Sequence, residues 1–461
     1  MQQDSYKKIV GYFKKNLKIF WNNLKEALLD KGEDMQLGRK HRPKYSIVVL
    51  STILAVLGFL LVFSAAPSLF DNMYSSATES CKIFSLIPSD NIIDCKMTEF
   101  LVIQVFYLVA GLVCFFIATK IPAKFWRRGA LIFLILAFGL SILLIISHAL
   151  NLPLAIEAGG AVRWLKFGPF TFQPAELMKL AILLFSASFL ASAHTKGQLN
   201  SVKKTILPLL TVLIVGLFFV AIFQSDFSSA LVIFAIVLAQ LIVSGMKFRG
   251  ILIFIAPFMV AGFFALMFFS YRLGRISDFL SEQCLPGDDL SQICSSLMSL
   301  GSGGVFGRGL GQGLSVFWVP QVMDDAIFSL VGETFGFVGS VAVLIIFIAL
   351  LYRILNLSEY LPNMYFRLIC AGTFGWIGLQ TIINIGAFTK TIPLTGITLP
   401  FISSGGSSLI CVMVTMGVIF TISRYTSYSK VKKENGSDEN TLRRRGIGRT
   451  RYASSGNNIG D

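Results

Sequence analysis

The chain has 461 residues, of which 54% are hydrophobic and only 14% charged, and its mean hydropathy is +0.71. Soluble domains carry about a quarter charged residues, so this composition excludes an ordinary soluble enzyme or binding module. Apolar runs of about 18–25 residues recur, each long enough to cross a bilayer core of about 30 Å. The composition therefore predicts an all-α integral membrane protein.

Hydropathy predicts ten transmembrane helices, which in chain order are residues 47–66, 100–118, 130–149, 175–193, 206–223, 227–244, 251–270, 326–351, 368–388 and 405–422. Basic residues follow every second helix, beginning with Lys120 after the second and Lys196 after the fourth. Short basic loops stay in the cytoplasm, so this pattern predicts that both termini are cytoplasmic. A long external loop, residues 271–325, then joins helices seven and eight.

Two basic segments flank the predicted membrane domain, which spans residues 46–424. Residues 1–45 form a basic cytoplasmic segment, and residues 425–461 form a basic cytoplasmic tail whose composition is typical of disorder. The net charge of +15 raises the alternative of nucleic-acid binding. The topology explains the charge better, because anionic lipid attracts basic segments to the inner membrane surface. We therefore expect no nucleic-acid partner.

Four cysteines fall in predicted external loops, namely Cys81, Cys95, Cys284 and Cys294. Cysteines on the oxidising side of a membrane form disulfides, most simply Cys81–Cys95 and Cys284–Cys294, although three pairings are open. The other three cysteines lie within predicted helices, where we expect them to pack as small apolar side chains.

The external loop after helix three carries the pair Arg163–Trp164 and leads into a helix with Glu176 and Lys179 in its first turns. An acid at a helix N-terminus is ordinary, because the helix dipole favours it there. Lys179, however, lies three residues further along the same face. A Glu–Lys pair inside a membrane is costly and usually functional, so this pair is a candidate part of a site.

Further candidates lie along the same external side. Asp226 opens helix six, where an N-cap is the simplest interpretation. Arg275 and Arg308 lie in the long external loop, and Arg308 sits among seven glycines between residues 301 and 313. Glycine permits close backbone approach to a ligand. Arginines on this side, where topology does not require them, predict an anionic substrate such as a phosphate ester.

Two adjacent aspartates, Asp324 and Asp325, stand at the entrance of helix eight. One acid would satisfy the first-turn donors, so a cap does not explain both. Adjacent carboxylates titrate as a coupled unit with one pKa raised, which suits a general base. The alternative is that the pair holds a hard divalent cation, Mg²⁺ or Mn²⁺. Ser403, Gly405 and Gly406 form a polar stretch before helix ten that fits a cavity lining.

Five stretches together resemble the SEDS family (shape, elongation, division and sporulation), the FtsW/RodA peptidoglycan polymerases: RWLKFGPFTFQPAELMK, QSDFSSA, GSGGVFGRGLGQG, VPQVMDDAIFSLVGETFGFVG and GITLPFISSGGSSL. They occur in the family's order and cover residues 47–424. The last stretch and the long basic N-terminal segment look more like the division branch, FtsW. The resemblance implies the ten-helix topology and a place in the bacterial cytoplasmic membrane with the active site facing outward.

The resemblance also implies an activity, the polymerisation of lipid II into glycan strands by inverting transfer, with a role in septal wall synthesis. It places the catalytic aspartate on Asp325 and implies a class B penicillin-binding protein as partner, with other division proteins, and a divalent cation. Together with the residues argued above, the candidate substrate-binding set is Arg163, Trp164, Glu176, Lys179, Asp226, Arg275, Arg308, Asp324, Ser403, Gly405 and Gly406.

The sequence departs from the family pattern at Met323, Ser225 and Ser404, where the family carries a histidine, a proline and a tyrosine. Asp325 is retained, so activity is still expected. Two alternatives stay open: a lipid II flippase and a non-catalytic division scaffold. Glu333, about two turns below Asp325, would either relay protons in a flippase or only form a hydrogen bond inside the bundle.

Overall fold

The computed structural model describes residues 41–74, 81–83, 87–89, 92–158, 160–268, 279, 292–313, 319 and 321–426. Its helices, labelled in chain order, are α1 Tyr45–Tyr74, α2 Ile92–Lys120, α3 Ala123–Ala149, α4 Pro174–Thr195, α5 Val202–Phe223, α6 Phe227–Ser244, α7 Phe248–Phe268, α8 Gln292–Ser302, α9 Ile327–Glu359, α10 Met364–Phe388 and α11 Gly406–Ile422. The helix α5 begins and ends with a π-helical turn, and a short 3₁₀ turn follows α11.

Every predicted transmembrane segment corresponds to one of these helices, which confirms an all-α multi-pass membrane protein. Within the described residues, nine helices are long and apolar enough to cross a membrane. The remaining prediction, residues 251–270, corresponds to α7, which is not among these nine. The predicted count of ten is therefore not confirmed. The helix α8 was not predicted, because its eleven residues are too few and too polar for a hydropathy signal.

Two small antiparallel sheets accompany the helices. The strands β1 Cys81–Ile83 and β2 Ile87–Ser89 form one pair. The strands β3 Ala155–Ala158, β4 Ala161–Phe167 and β5 Phe170–Phe172 form the other, in the order β3-β4-β5. A glycine at position 168, with φ of 64°, turns β4 into β5. The second sheet occupies the segment that the sequence predicted as a plain loop, and it delivers the chain directly to α4.

The helix α4 lies at the centre of the bundle. Within its most apolar 18-residue stretch, 94% of the residues are buried against protein, compared with 17% for α2. Small residues such as Ser186, Ala187 and Ala191 allow neighbouring helices to approach it closely. Because α4 is surrounded by protein rather than lipid, it can carry charged side chains that a peripheral helix could not.

The bundle has two distinct ends. At one end the chain before α1 meets the chain after α11, where the His41 N–H donates to the carbonyl oxygen of Arg424 at 2.7 Å. At the opposite end α4, α6, α9 and α11 begin and α10 ends. We call this second end the site end, because all the predicted site residues that the structure describes belong to elements that meet there.

The helix α9 is broken close to the site end, at Gly336, whose φ of 68° and ψ of −165° are not helical. A break of this kind removes helical partners from four backbone groups. The glycine-rich segment after α8 replaces them. The N–H groups of Arg308 and Gly309 donate to the carbonyls of Glu333 and Thr334 at 2.9 and 3.0 Å. The backbone N–H groups of this segment therefore pair with carbonyl groups that precede the break.

The other side of the break is completed in the same way. The N–H groups of Phe337 and Val338 donate to the carbonyl oxygens of Gly304 and Val305 at 2.9 and 3.1 Å. We call residues 303–309, together with the break at Gly336, the backbone splice. The splice ties α8, which directly precedes it, to the first turns of α9.

The glycines of the splice are required by close packing. A Cβ at Gly303 would lie 2.0 Å from the Gly332 carbonyl oxygen, and one at Gly307 would lie 2.2 Å from that of Thr334. A Cβ at Gly336 would lie 2.3 Å from the Gly307 nitrogen. The close backbone approach that the sequence indicated is therefore made to a helix of the same chain, where a ligand was expected.

Candidate active site

Asp325 lies in the turn that precedes α9, and only 5% of it is exposed. Gln292 of α8 donates to its Oδ1 at 3.4 Å. Gly396 packs on the other oxygen, since a Cβ there would lie 3.6 Å from Oδ2. Burial, and then the neighbouring charge of Asp324, raise the pKa of Asp325 to about 7. Such a carboxyl exchanges protons near neutral pH, which is the property of a general base.

Asp324, by contrast, is exposed and is bound to the segment before α11. The Ser404 hydroxyl donates to its Oδ1 in a short hydrogen bond. The Ser404 N–H donates to the carbonyl of Met323 at 3.0 Å. Two of the positions at which the sequence departs from the family pattern, Met323 and Ser404, are therefore bonded to each other beside the aspartates.

A second layer lies deeper, on α4 and α10. Lys179 is fully buried, and its Nζ lies 2.8 Å from Oε1 of Glu176, which is 3% exposed. The same Nζ donates to Oε1 of Gln380 at 3.3 Å and lies 5.4 Å from the centre of the Trp376 ring. Gln380 in turn donates to the Thr398 carbonyl at 2.9 Å. The predicted Glu–Lys pair is thus an ion pair connected to the segment before α11.

The sheet region contributes Arg163, which lies on β4. Its Nε and Nη2 donate to the carbonyl oxygens of Gln224 and Ser225 at 3.2 and 3.0 Å. These carbonyls belong to the end of α5, so the arginine caps that helix. Trp164 is half-buried on the same strand, opposite Ile156. Arg163 therefore has a clear structural role, whatever it contributes to substrate binding.

Asp226 is the N-cap of α6, as its position in the sequence favoured. Its Oδ1 accepts from the Ser229 N–H at 2.9 Å, and its Oδ2 accepts from Gln173 Nε2 at 2.9 Å. Ser228, in the same turn, donates to the Thr395 carbonyl at 2.6 Å. Because Thr395 precedes Gly396, this contact connects the Asp226 turn to the segment that covers Asp325.

The polar stretch before α11 is closely packed. Ser403 is 8% exposed, and its hydroxyl accepts from the Leu399 N–H at 2.8 Å. A Cβ at Gly405 would lie 3.3 Å from the Thr398 methyl group, and one at Gly406 would lie 2.2 Å from the Tyr107 ring. These residues hold the segment between α10 and α11 against the bundle, so they support the site rather than form a hinge.

The remaining predicted residues lie elsewhere or outside the described chain. Arg308 is exposed on the backbone splice, where its Nε donates to the Ser302 carbonyl at 3.2 Å. Arg275 and Cys284 lie outside the described residues, as do the side chains of Cys81 and Cys95. Cys294, on α8, is disulfide-bonded. Its pairing with Cys284 stays a prediction.

Two buried amides of α10 were missed by the sequence reading. Gln380 bridges the ion pair and Thr398, as described above. Asn384, fully buried one turn later, donates from Nδ2 to the Asp325 carbonyl at 2.7 Å and to the Ile397 carbonyl at 2.6 Å. A signal was available, because two amides four residues apart share one face of an apolar helix.

Within the described part of the chain, neither aspartate forms an ion pair with a lysine or arginine. No group of three metal-ligating side chains comes together there either. Four helices begin at the site end, and helix N-termini carry partial positive charge from unpaired N–H groups. The arrangement therefore places a buried carboxyl among several helix N-termini.

The fold and the site define a class, namely multi-pass membrane proteins that carry a buried aspartate with a raised pKa at one end of the helix bundle. Residues 45–428 match the profile of the FtsW/RodA/SpoVE family, described as cell cycle proteins. The match spans most of the chain, so the protein belongs to this family.

Individual relatives agree with this assignment. Stage V sporulation protein E of Bacillus subtilis is 29% identical over 392 residues, which are 85% of this chain and 99% of the relative. The probable peptidoglycan glycosyltransferase FtsW of Dichelobacter nodosus is 33% identical over 333 residues, or 70% and 81% of the two chains.

Solved structures share the fold. A chain from a study titled "Structural coordination of polymerization and crosslinking by a peptidoglycan synthase complex" aligns with a TM-score of 0.57 and 25% identity, covering 83% of this chain and 98% of the other. The rod shape determining protein RodA of Thermus thermophilus aligns with a TM-score of 0.52 and 26% identity, covering 84% and 98%.

Proposed function

We propose that this protein is a peptidoglycan glycosyltransferase that polymerises lipid II into glycan strands. The observation that carries the proposal is Asp325, an almost fully buried carboxyl with a pKa of about 7. One of the relatives of this chain named above, FtsW of Dichelobacter nodosus, is a probable peptidoglycan glycosyltransferase. A base that is half ionised near neutral pH is suited to activating a sugar hydroxyl, which is a weak nucleophile.

In the proposed reaction the carboxylate of Asp325 accepts the proton of the acceptor sugar's 4-hydroxyl. The hydroxyl oxygen forms a bond to the anomeric carbon of the donor, and the bond from that carbon to the pyrophosphate oxygen breaks. Undecaprenyl pyrophosphate leaves with the bonding electrons. Attack opposite the leaving group converts the α-linked donor into a β-1,4 linkage. The proton then passes from Asp325 to water.

The pyrophosphate would be stabilised by the positive ends of the four helices that begin at the site end. Lys179 is already paired with Glu176 at 2.8 Å, so it would act by fixing α4 rather than as a free cation. Arg163 caps α5 through two carbonyls, and its third guanidinium nitrogen would be the one to reach a phosphate.

A divalent cation would complete the charge balance, and Asp324 and Asp325 are the residues that would hold it. Two carboxylates with substrate phosphate and water supply the oxygen ligands that Mg²⁺ or Mn²⁺ accepts. When bound, the cation would neutralise charge on the leaving pyrophosphate. The two residues fit this arrangement, because the Asp324 carboxylate is exposed and its neighbour is buried beside it.

We also propose the setting of the reaction. The basic loops favour a bacterial cytoplasmic membrane with the site end facing outward, where lipid-linked substrate is polymerised. The similarity to a chain of a peptidoglycan synthase complex supports a cross-linking partner, a class B penicillin-binding protein. Relatives named FtsW favour septal wall synthesis, together with other division proteins.

The test is purified full-length protein with lipid II and Mg²⁺, with glycan products resolved on a gel. Strand formation by the wild-type protein, absent in Asp325→Asn, is the expected result. Transfer of a fluorescent lipid II across a vesicle membrane without strand formation would instead favour the flippase alternative. Neither activity, in protein that still binds its partner, would favour a scaffold.

A further inference from the structure

Asn384 is fully buried near the end of α10, one turn after the buried amide of Gln380. Its single Nδ2 atom donates to two backbone carbonyls, that of Asp325 at 2.7 Å and that of Ile397 at 2.6 Å. Only an amide nitrogen offers two hydrogens in one plane without a charge. Neither an aliphatic side chain nor a hydroxyl could join the two carbonyls.

The two carbonyls belong to segments that meet at the carboxylate. One is the turn that carries Asp325. The other is the segment that directly follows α10, in which Gly396 packs on Asp325 Oδ2. Gly396 has φ of 66°, a conformation that few other residues adopt, and it immediately precedes Ile397. Asn384 therefore connects the segment that packs against the carboxylate to the backbone of Asp325 itself.

We propose that Asn384 is a positioning residue for the glycosyl transfer, holding the 391–405 segment over Asp325 so that the carboxylate stays dry and correctly aimed. This inference rests on the proposed function. Asn384 reaches only backbone atoms, and it acts through Asp325. A displacement of about 1 Å in a reacting group can lower a rate by about 10²-fold, so a small loosening of the segment has a large effect.

Three groups surround the carboxylate. Gln292 faces Asp325 from α8, Gly396 from the covering segment, and Asn384 from α10 through the backbone. Without the Asn384 bridge, the covering segment loses this attachment to the Asp325 backbone. Its backbone amides should then exchange with solvent more readily.

The experiment compares wild-type protein with Asn384→Leu, which removes both donors and keeps the number of side-chain heavy atoms, and Asn384→Gln, which retains an amide. The matched control is Gln240→Leu. Gln240 is also a fully buried amide, and it donates to the Leu183 carbonyl at 3.0 Å in the centre of the bundle. The readouts are kcat and KM for lipid II at one fixed pH and Mg²⁺ concentration, and hydrogen–deuterium exchange of the backbone amides of residues 391–405.

For Asn384→Leu we expect kcat to fall by about 10- to 100-fold with KM changed far less. We also expect the backbone amides of residues 391–405 to exchange faster than in the wild type. Asn384→Gln should recover part of the rate. Gln240→Leu should lower thermal stability while leaving the exchange of residues 391–405 unchanged.

An Asn384→Leu protein whose residues 391–405 exchange at the wild-type rate would overturn the inference, as would equal acceleration of that exchange in Gln240→Leu. The exchange measurement keeps the test independent of the proposed function. If wild-type protein makes no glycan, the function fails, while the exchange of residues 391–405 still decides whether Asn384 holds the segment. If Asn384→Leu does not fold, the Asn384→Gln protein must show a smaller acceleration, and no acceleration would again overturn the inference.

Discussion

Two buried acids at the site end, Glu176 and Asp325, differ in one respect that decides their roles. Both are nearly inaccessible, with 3% and 5% exposed. Glu176 lies 2.8 Å from the ammonium group of Lys179, so its charge is compensated inside the bundle. Asp325 is near an amide at 3.4 Å and a second carboxylate, and neither compensates a negative charge.

This difference indicates a structural role for Glu176 and a chemical role for Asp325. A compensated pair gains nothing by exchanging a proton, and it fixes α4 against α10 through Gln380. An uncompensated, buried carboxyl is held close to the balance between its two forms at neutral pH, and that balance is useful only if a proton must be moved. Three substitutions test this difference between Glu176 and Asp325.

The largest effect is expected from Lys179→Met, which leaves the Glu176 carboxylate buried without its partner. Breaking a buried ion pair on one side destabilises a protein by about 3–5 kcal/mol. We expect a marked loss of thermal stability in detergent, measured by the fraction of monodisperse protein after heating. The double variant Glu176→Gln with Lys179→Met should recover much of that loss. Equal losses in the single and double variants would contradict a compensated pair.

A smaller effect is expected from Gly336→Ala, which tests whether the backbone splice helps to hold the surroundings of Asp325 in place. The added Cβ would lie 2.3 Å from the Gly307 nitrogen, at a φ of 68° that costs about 1–3 kcal/mol for a residue other than glycine. We expect lower thermal stability and lower activity together, since α8 carries Gln292. Gly139→Ala is the control, because an added Cβ there meets no atom within 4 Å. Similar behaviour of the two variants would argue against the splice.

The smallest effect is expected from Asp324→Asn, which removes the like charge beside Asp325. That charge raises the pKa of Asp325, so its removal lowers the pKa, and the base becomes ionised at lower pH. We expect the rise of activity with pH, centred near pH 7 in the wild type, to move to lower pH, and the plateau rate to fall modestly because one ligand of the proposed cation is lost. A profile that stays in place would show that Asp324 does not act on Asp325.

Much of this arrangement could be predicted from the sequence. Long apolar runs indicated the helices, because nothing else supports such runs in a chain with so few charges. The Glu176–Lys179 spacing and the aspartates at the start of α9 marked two of the elements that meet at the site. Asp226 as an N-cap followed from its place ahead of an apolar run.

Other features depend on contacts between distant segments, and no local pattern reports those. The splice needs a helix break inside an apolar run, at Gly336, and a partner segment before the helix. The glycines of that segment indicated close approach, but they could not say to what. Asn384 looked like one polar residue in an apolar helix, because its role depends on two carbonyls that lie far from each other along the chain. Arg163 looked like a phosphate ligand, but it is bonded to the end of α5.

The most direct test of the central claim is glycan synthesis by Asp325→Asn, measured with lipid II at matched amounts of folded protein. Burial disfavours the charged form of Asp325, so replacing the carboxyl group with a neutral amide should not reduce thermal stability. The account predicts that polymerisation above pH 7, where the wild-type base is ionised, falls by about 10²–10⁴-fold while the protein remains folded. Polymerisation by Asp325→Asn near the wild-type rate would contradict the account, and loss of activity in Asp324→Asn alone would move the base to that residue.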